Sequence, residues 1–393
     1  MKKNILMVST TYFPDLGGAG IVAKNISEQL YKDGYNVTVF CGGKKTKTEI
    51  INNIKIYRQN TLKYISPYVI ENYYNLNLET EFLKIINKHH IQIIHFHSIQ
   101  GLGANLINLS LKLGLKTILT MHDFWWECPL LFLNDEYSSS QPVKNHIKYC
   151  NQITNYQFLN QRKQYLHKIL KDKNLIITIV SETMKKAVGY IGLPNADKYH
   201  CIPNGILQDN NFSTIPKAVK STNKIEFAYF GGDNYSKGFY TLLKAAKTLK
   251  FNTNNFNINL YGIHRPFIKN ILNFKFLHKY HIKLYGPFDN SELAKILSNI
   301  DAVVIPSQVF ESFSLIARES LINNTPIISS GMGGLSEITD QRHITYNKTS
   351  STDLAKKMFY FIQHLNDFRK YKSQFEYNSL ATQSKLLQKL YNG

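Results

Sequence analysis

Short apolar runs rich in β-branched residues recur along this chain from end to end, each separated from the next by a segment long enough to form a helix. In the first half they are Ile5–Ser9, Asn36–Phe40, Ile91–His97, Thr117–Met121 and Leu175–Val180. The second half repeats the scheme with Ile225–Phe230, Phe256–Tyr261, Ile282–Tyr285, Ala302–Ile305 and Pro326–Ser330. Strands alternating with helix-length connections pair in parallel through right-handed crossovers, so the pattern predicts an α/β protein with parallel sheets. The first crossover helix is legible in detail: Ile21, Val22, Ile26 and Leu30 share one face, and Gly34 stands past its end as a stop.

The chain has 393 residues, and a single core stops growing at roughly 250 to 300. Between the halves, Asn210 to Asn223 is polar, contains Pro216 and lacks an apolar period. The expected organisation is two doubly wound, parallel-sheet domains facing across a cleft, residues 1–208 and 224–372, joined by a linker at 209–223. Within the last segment, 373–393, Glu376 to Tyr391 is helical in period, and this helix is expected to pack back on the N-terminal domain.

Composition narrows the class and the partners. Hydrophobic residues make up 43% and charged residues 19%, a globular balance. The net charge of +20 is divided evenly on either side of residue 205, so no basic arm stands out. Without zinc-finger spacing, a recognition-helix signature or an aromatic RNA-binding pattern, nucleic acid is not the expected partner; anionic lipid headgroups or a phosphorylated substrate fit the charge. Cys41, Cys128, Cys150 and Cys201 are too scattered for a disulfide scaffold or a zinc knuckle, which points to a reducing cytosol, with Cys128 and Cys150 as buried thiols. The opening apolar run is about five residues, shorter than the roughly 7 to 15 of a secretory signal, and reads as a first strand. No run approaches the ~18 to 20 residues that span a bilayer, so any membrane association is expected to be peripheral.

The residues that can carry chemistry sit where strands end. Tyr12-Phe13-Pro14-Asp15-Leu16-Gly17-Gly18-Ala19-Gly20 follows the first strand, and its glycines let backbone N–H groups approach a phosphate or sugar oxygen. It lacks the Gly-x-Gly-x-x-Gly register of a dinucleotide site. His122-Asp123 follows another strand: the imidazole can bond a substrate hydroxyl, and the aspartate can fix its orientation or tautomer. Trp125 and Trp126 offer flat faces for a sugar or an acyl chain, or else are core aromatics, and His97 at a further strand end reads as structural. In the second half, Gly231-Gly232-Asp233-Asn234-Tyr235-Ser236-Lys237-Gly238 joins a strand to a helix, with Lys237 placed to neutralise a leaving diphosphate. The loops after Tyr261 and Tyr285 flank the same edge and can bracket a base.

Glu311 and Glu319 are spaced as Glu-x7-Glu after the strand at Ala302–Ile305. With Ser312 or Ser314 as helix cap, Glu311 stays on the loop and Glu319 lies about two turns into the helix. Between them, the free N–H groups of Phe313, Ser314 and Leu315 form an anion site. No Asp-x-Asp occurs, so no metal is required by the sequence; lysine and the helix N-terminus do the neutralising.

Taken in order, these motifs resemble the retaining glycosyltransferases of family 4, with the GT-B architecture of two Rossmann-like domains. The resemblance runs through the glycine loop at 17–20, His122-Asp123, Ser181-Glu182, Ile202-Pro-Asn-Gly205, Gly231 to Gly238, the glutamate pair and Gly333-Gly334-Leu-Ser-Glu337. It implies an N-terminal acceptor-binding domain and a C-terminal domain that binds a nucleotide diphosphate sugar as co-substrate, with no cofactor. It further implies that Glu311 bonds donor-sugar hydroxyls, that Glu319 binds the ribose, and that amides near Phe313, Ser314 and Leu315 hold the diphosphate. Lys237 would neutralise that diphosphate beside Gly231, Gly17 and Gly18 would approach it, and His122 would sit by the anomeric carbon. The implied acceptor is a saccharide or lipid-linked saccharide in cell-surface glycan biosynthesis, at the inner face of the membrane. One departure is plain: many relatives carry arginine where this chain has Gly232, so either Lys237 suffices, or another cation compensates, Arg318 ahead of Arg265, or activity is weakened. Two other readings share the architecture, a nucleotide-sugar 2-epimerase and a non-catalytic partner of an active glycosyltransferase.

Overall fold

A computed structural model describes residues 3–14, 17–67, 69–129, 131, 156–207, 224–263, 274–348, 350–371 and 375–393. The chain divides into two compact units, Met1–Leu207 with Asn378–Gly393, and Gln208–Tyr377. The expected linker at 209–223, Cys150 and Arg265 lie outside the described residues, as does the expected boundary at 372–373.

In the first unit the strands β1 (Asn4–Ser9), β2 (Asn36–Gly43), β3 (Lys47–Ile51), β4 (Ile54–Asn60), β5 (Ile93–Phe96), β6 (Lys116–Met121), β7 (Leu175–Ile179) and β8 (His200–Cys201) form one sheet. Its order is β3-β4-β2-β1-β5-β6-β7-β8. Every pairing is parallel except β3 with β4. The helices are α1 (Gly18–Lys32), α2 (Glu79–Lys88), α3 (Asn105–Lys112), α4 (Tyr156–Leu170), α5 (Glu182–Tyr190) and, from the chain's end, α12 (Leu380–Asn392). Ala23, Ile26 and Leu30 of α1 and Leu387 and Tyr391 of α12 pack in one core with Ile5, Met7, Val37, Val39 and Ile93. Phe82 of α2 packs edge-on against Phe40 and tilted against Phe96. Polar ties hold α12 in place: Ser384 Oγ and Gln388 Nε2 donate to Asp33 Oδ2 at 2.6 and 2.7 Å, and Gly205 N donates to Gln383 Oε1 at 2.8 Å.

The second unit's sheet, order β11-β10-β9-β12-β13-β14, is parallel throughout. Its strands are β9 (Ile225–Tyr229), β10 (Phe256–Leu260), β11 (Ile282–Leu284), β12 (Ala302–Ile305), β13 (Ile327–Ser329) and β14 (His343–Thr345). Its helices are α6 (Phe239–Asn252), α7 (Phe274–Lys279), α8 (Leu293–Ser298), α9 (Leu315–Ile322), α10 (Ser351–Gln363) and α11 (Leu365–Lys370). Phe227, Ile258 and Val304 bury one face against α6 and α10; Ala228, Val303 and Ile327 bury the other against α8 and α9. In open α/β sheets ligands bind at the strands' carboxyl ends where the order reverses. Here it reverses beside β1 and beside β9, the strands that run into the two glycine loops.

Candidate functional site

In the second unit, the β9–α6 connection and the loop after β12 are held together by glycine. Gly238 has φ +78°, and a Cβ there would overlap the carbonyl of Pro306. Asn234 Oδ1 accepts from Ser236 N at 2.9 Å, and Gln308 N donates to Ser236 O at 2.8 Å. This contact presents Lys237 to the next loop, where its Nζ meets Glu311 Oε1 at 2.7 Å. Ser307 Oγ donates to the same carboxylate oxygen. Behind Glu311, its carbonyl accepts from Gly334 N at 2.6 Å, and a side chain at Gly333 would overlap that carbonyl. The ion pair is buried on the glutamate side.

The helix that follows is α9, and its start departs from expectation. Ser314 stands at the N-cap position in the left-handed region (φ 62°), and its side chain makes no cap bond; beginning at Leu315, the helix carries Glu319 little more than one turn in, not two. Its first N–H groups thus lack a side-chain cap, the arrangement that favours an anion. Glu319 is buried, and burial pushes its carboxyl up to about 7 against the pull of an Asn290 hydrogen bond.

Arg318, the candidate substitute cation, is tied to the backbone of its own segment. Its buried guanidinium stacks 3.8 Å from the centroid of Phe313, donates to Phe313 O and Gly334 O, and lies 3.7 Å from Glu337 Oε2. Burial lowers it to about 10. Gly232 has φ +63° and only Gly262 O near an added Cβ, at 3.4 Å. Gly231 is required for a reason the sequence did not announce: a side chain there would overlap the Tyr229 hydroxyl. Phe230, Tyr261 and Tyr285, each one residue past its strand, stack as a ladder with centroids 4.9 and 4.6 Å apart.

In the first unit, Gly17 caps α1 in extended backbone, and a Cβ at Gly17 or Gly18 would meet nothing within 4 Å, so no packing demands glycine there. His122, just past β6, bonds through Nε2 to His97 Nδ1 at 2.8 Å. Asp123 does not take that role: its Oδ1 accepts from Trp125 N at 2.9 Å, Gln100 Nε2 reaches its Oδ2 at 3.4 Å, and burial raises it to about 6. Trp125 and Trp126 are not ligand faces either. Both are buried, Trp125 Nε1 donates to Asn72 Oδ1 at 2.9 Å, and the Arg162 guanidinium covers its ring at 4.7 Å. Cys128 is buried.

A glycine loop at the carboxyl edge of each sheet, with a lysine–glutamate pair and an uncapped helix start in the second, accords with the GT-B class that the motifs resemble. Family models agree on both halves: "Glycosyltransferase Family 4" matches residues 16–209 and "Glycosyl transferases group 1" matches 211–378. The chain belongs to the GT-B glycosyltransferase family. Among curated relatives, a 42.6 kDa protein in the cps region of Klebsiella pneumoniae is 23% identical over 370 residues, covering 86% of this chain and 87% of that one. Sucrose-phosphate synthase of Thermosynechococcus elongatus superposes with a TM-score of 0.67 at 18% identity, over 99% of this chain and 95% of that one. Anabaena HepE in complex with UDP-glucose superposes with a TM-score of 0.65 at 15% identity, over 99% of both chains.

Proposed function

We propose that this glycosyltransferase moves a hexose-type sugar from a nucleotide diphosphate sugar to a saccharide or lipid-linked saccharide, with retention and without a metal ion, in building a cell-surface glycan. The observation that carries the reading is the Lys237–Glu311 pair at 2.7 Å, set at the carboxyl edge beside the uncapped start of α9. Lys237 and the amides of Phe313 to Leu315 stabilise the diphosphate as the bond to the anomeric carbon breaks. Glu311 orients the sugar hydroxyls and Glu319 the ribose. In the first unit, His122 bonds the sugar and the Gly17–Gly18 backbone serves diphosphate and acceptor. The acceptor oxygen forms its bond on the face the phosphate leaves, and the departing phosphate oxygen takes the acceptor's proton. Support for the donor class comes from HepE, solved with UDP-glucose, and for the glycan from the relative in a cps region. Among the described residues no helix is long and apolar enough to cross a membrane; the net charge of +20 suits a peripheral place on an anionic surface.

The test is a thermal-shift panel of nucleotide sugars on the wild-type chain and on Lys237→Ala. At about 100 times Kd the right donor adds ~2.7 kcal/mol, a rise of a few degrees. Lys237→Ala keeps its fold without ligand, loses most of the donor shift and transfers no sugar. A panel that leaves the melting point unmoved, or wild-type turnover by Lys237→Ala, overturns the reading.

A further inference from the structure

Three imidazoles stand together under the carboxyl edge of the first sheet. His95 lies within β5, His97 just past its end, and His122 just past the neighbouring β6; the ring centroids are 4.4 Å apart from His95 to His97 and 5.1 Å from His97 to His122. Both nitrogens of His95 are engaged, Nδ1 with the Tyr391 hydroxyl and Nε2 with Thr120 Oγ1, each at 2.7 Å. Thr120 Oγ1 in turn meets Thr178 Oγ1 at 2.6 Å. His97 is only 2% exposed; its Nδ1 bonds His122 Nε2 at 2.8 Å, while among the described residues its Nε2 has no hydrogen-bond partner.

This arrangement is informative about protons. Burial drives all three rings toward the neutral form, His95 to about 3, His97 well below its usual range and His122 to about 4. A bond between two neutral imidazoles holds one proton. If His122 donated, the proton of His97 would sit on Nε2 as a buried N–H without an acceptor, a rare situation in folded proteins. If His97 Nδ1–H donates, only a lone pair is left at that position. His122 then accepts at Nε2 and carries its own proton on Nδ1.

The geometry points to His97 as a positioning residue that fixes His122 in its Nδ1–H tautomer, so that His122 meets a ligand oxygen as a hydrogen-bond donor and not as an acceptor. The ligand half of this inference rests on the proposed sugar transfer; the tautomer half does not. It also explains why a strand-end histidine, and not the adjacent Asp123, orients His122: Asp123 is occupied with the Trp125 backbone.

The experiment separates the halves. The full chain is labelled with ¹⁵N-histidine, and long-range ¹H–¹⁵N spectra are recorded at pH 7 for wild type, His97→Leu and His97→Asn, with His122 assigned from the His122→Gln spectrum. Wild type should show His122 as a single Nδ1–H tautomer. His97→Leu should shift it to a mixture or to Nε2–H, and His97→Asn, whose carboxamide N–H replaces the lost donor, should restore it. In turnover, His97→Leu should lower kcat about tenfold, equivalent to ~1.4 kcal/mol, with the donor KM moved less than twofold, and His97→Asn should recover most of the loss. An Nε2–H tautomer in wild type, or a His122 spectrum unchanged in His97→Leu, overturns the inference; so do equal kcat losses in the two variants. Should His97→Leu fail to fold, the wild-type and His97→Asn spectra still decide it. The spectra need no turnover, so failure of the sugar-transfer reading would appear separately, as correct tautomers in a protein that transfers nothing.

Discussion

Glu319 is a carboxyl kept out of water by the helix that carries it, and its protonation follows. In the unfolded chain it loses its proton near 4.5, in the native state at about 7, because burial disfavours the charge. Between those values the native state holds a proton that the unfolded chain does not, so this group's contribution to stability falls as pH rises through the interval and stays low above it. The full effect is ~3 kcal/mol. Glu319→Gln should therefore melt higher than wild type at pH 8, with the gap closing toward pH 5, while calorimetry shows nucleotide-sugar affinity reduced about tenfold, the scale of one charged hydrogen bond. A gap independent of pH would mean that Glu319 is not the titrating group. The spacing of Glu311 and Glu319 was readable in the sequence because both lie on one short segment. His97 and His122 were not readable as a pair: their contact exists because β5 and β6 are neighbours in a register that sets Phe96 beside Leu119, and register is not written in either strand alone.

Among the elements, all ten apolar runs became strands, since strands buried on both faces announce themselves by hydrophobicity alone. Those that escaped notice have polar or mixed sequences. β3 is an edge strand with three of its five residues exposed, and β4 buries Arg58 against Glu49 of β3, so their hairpin reads as loop. Its turn was the signal available: Asn52 and Asn53 both take positive φ, 51° and 63°, as tight hairpin turns require. Of the two serines that the sequence offers as cap for α9, Ser314 holds the N-cap position, but it is spent on a left-handed turn and makes no cap bond, and Arg318 takes over the job of tying the segment down. That assignment is testable. Arg318→Ala leaves the carbonyls of Phe313 and Gly334 without their donor and removes the ring contact, which should cost ~3 kcal/mol. Arg318→Lys should recover little of it, since an ammonium reproduces neither the fork nor the stack. Denaturant melts check the stability; a donor titration should show both variants binding weakly, because Glu311 and the α9 amides lose their fixed backbone together.

For the molecule as a whole, the two units differ in how the chain builds them. Gln208–Tyr377 is continuous in sequence, and both of its cores are made from its own residues. The first unit is not: it closes only when Asn378–Gly393 returns. Leu380, Leu387 and Tyr391 of α12 are each at most 7% exposed, and burying such a side chain contributes ~1.5 to 3 kcal/mol. Removing the helix also strips His95 Nδ1 of the Tyr391 hydroxyl, for ~1 to 3 kcal/mol more. The total approaches the ~5 to 15 kcal/mol that holds a domain together. Residues 208–377 expressed alone should therefore melt cooperatively and keep a thermal shift with the donor sugar, whereas 1–207 should show no cooperative transition by circular dichroism. Rejoining 378–393 to residue 207 through a short glycine-serine linker should bring that transition back, and with it the protected His95. A cooperative melt of 1–207 close to that of the full chain would show that α12 is an attachment to a core already complete, and that the histidine stack under β5 and β6 does not depend on it.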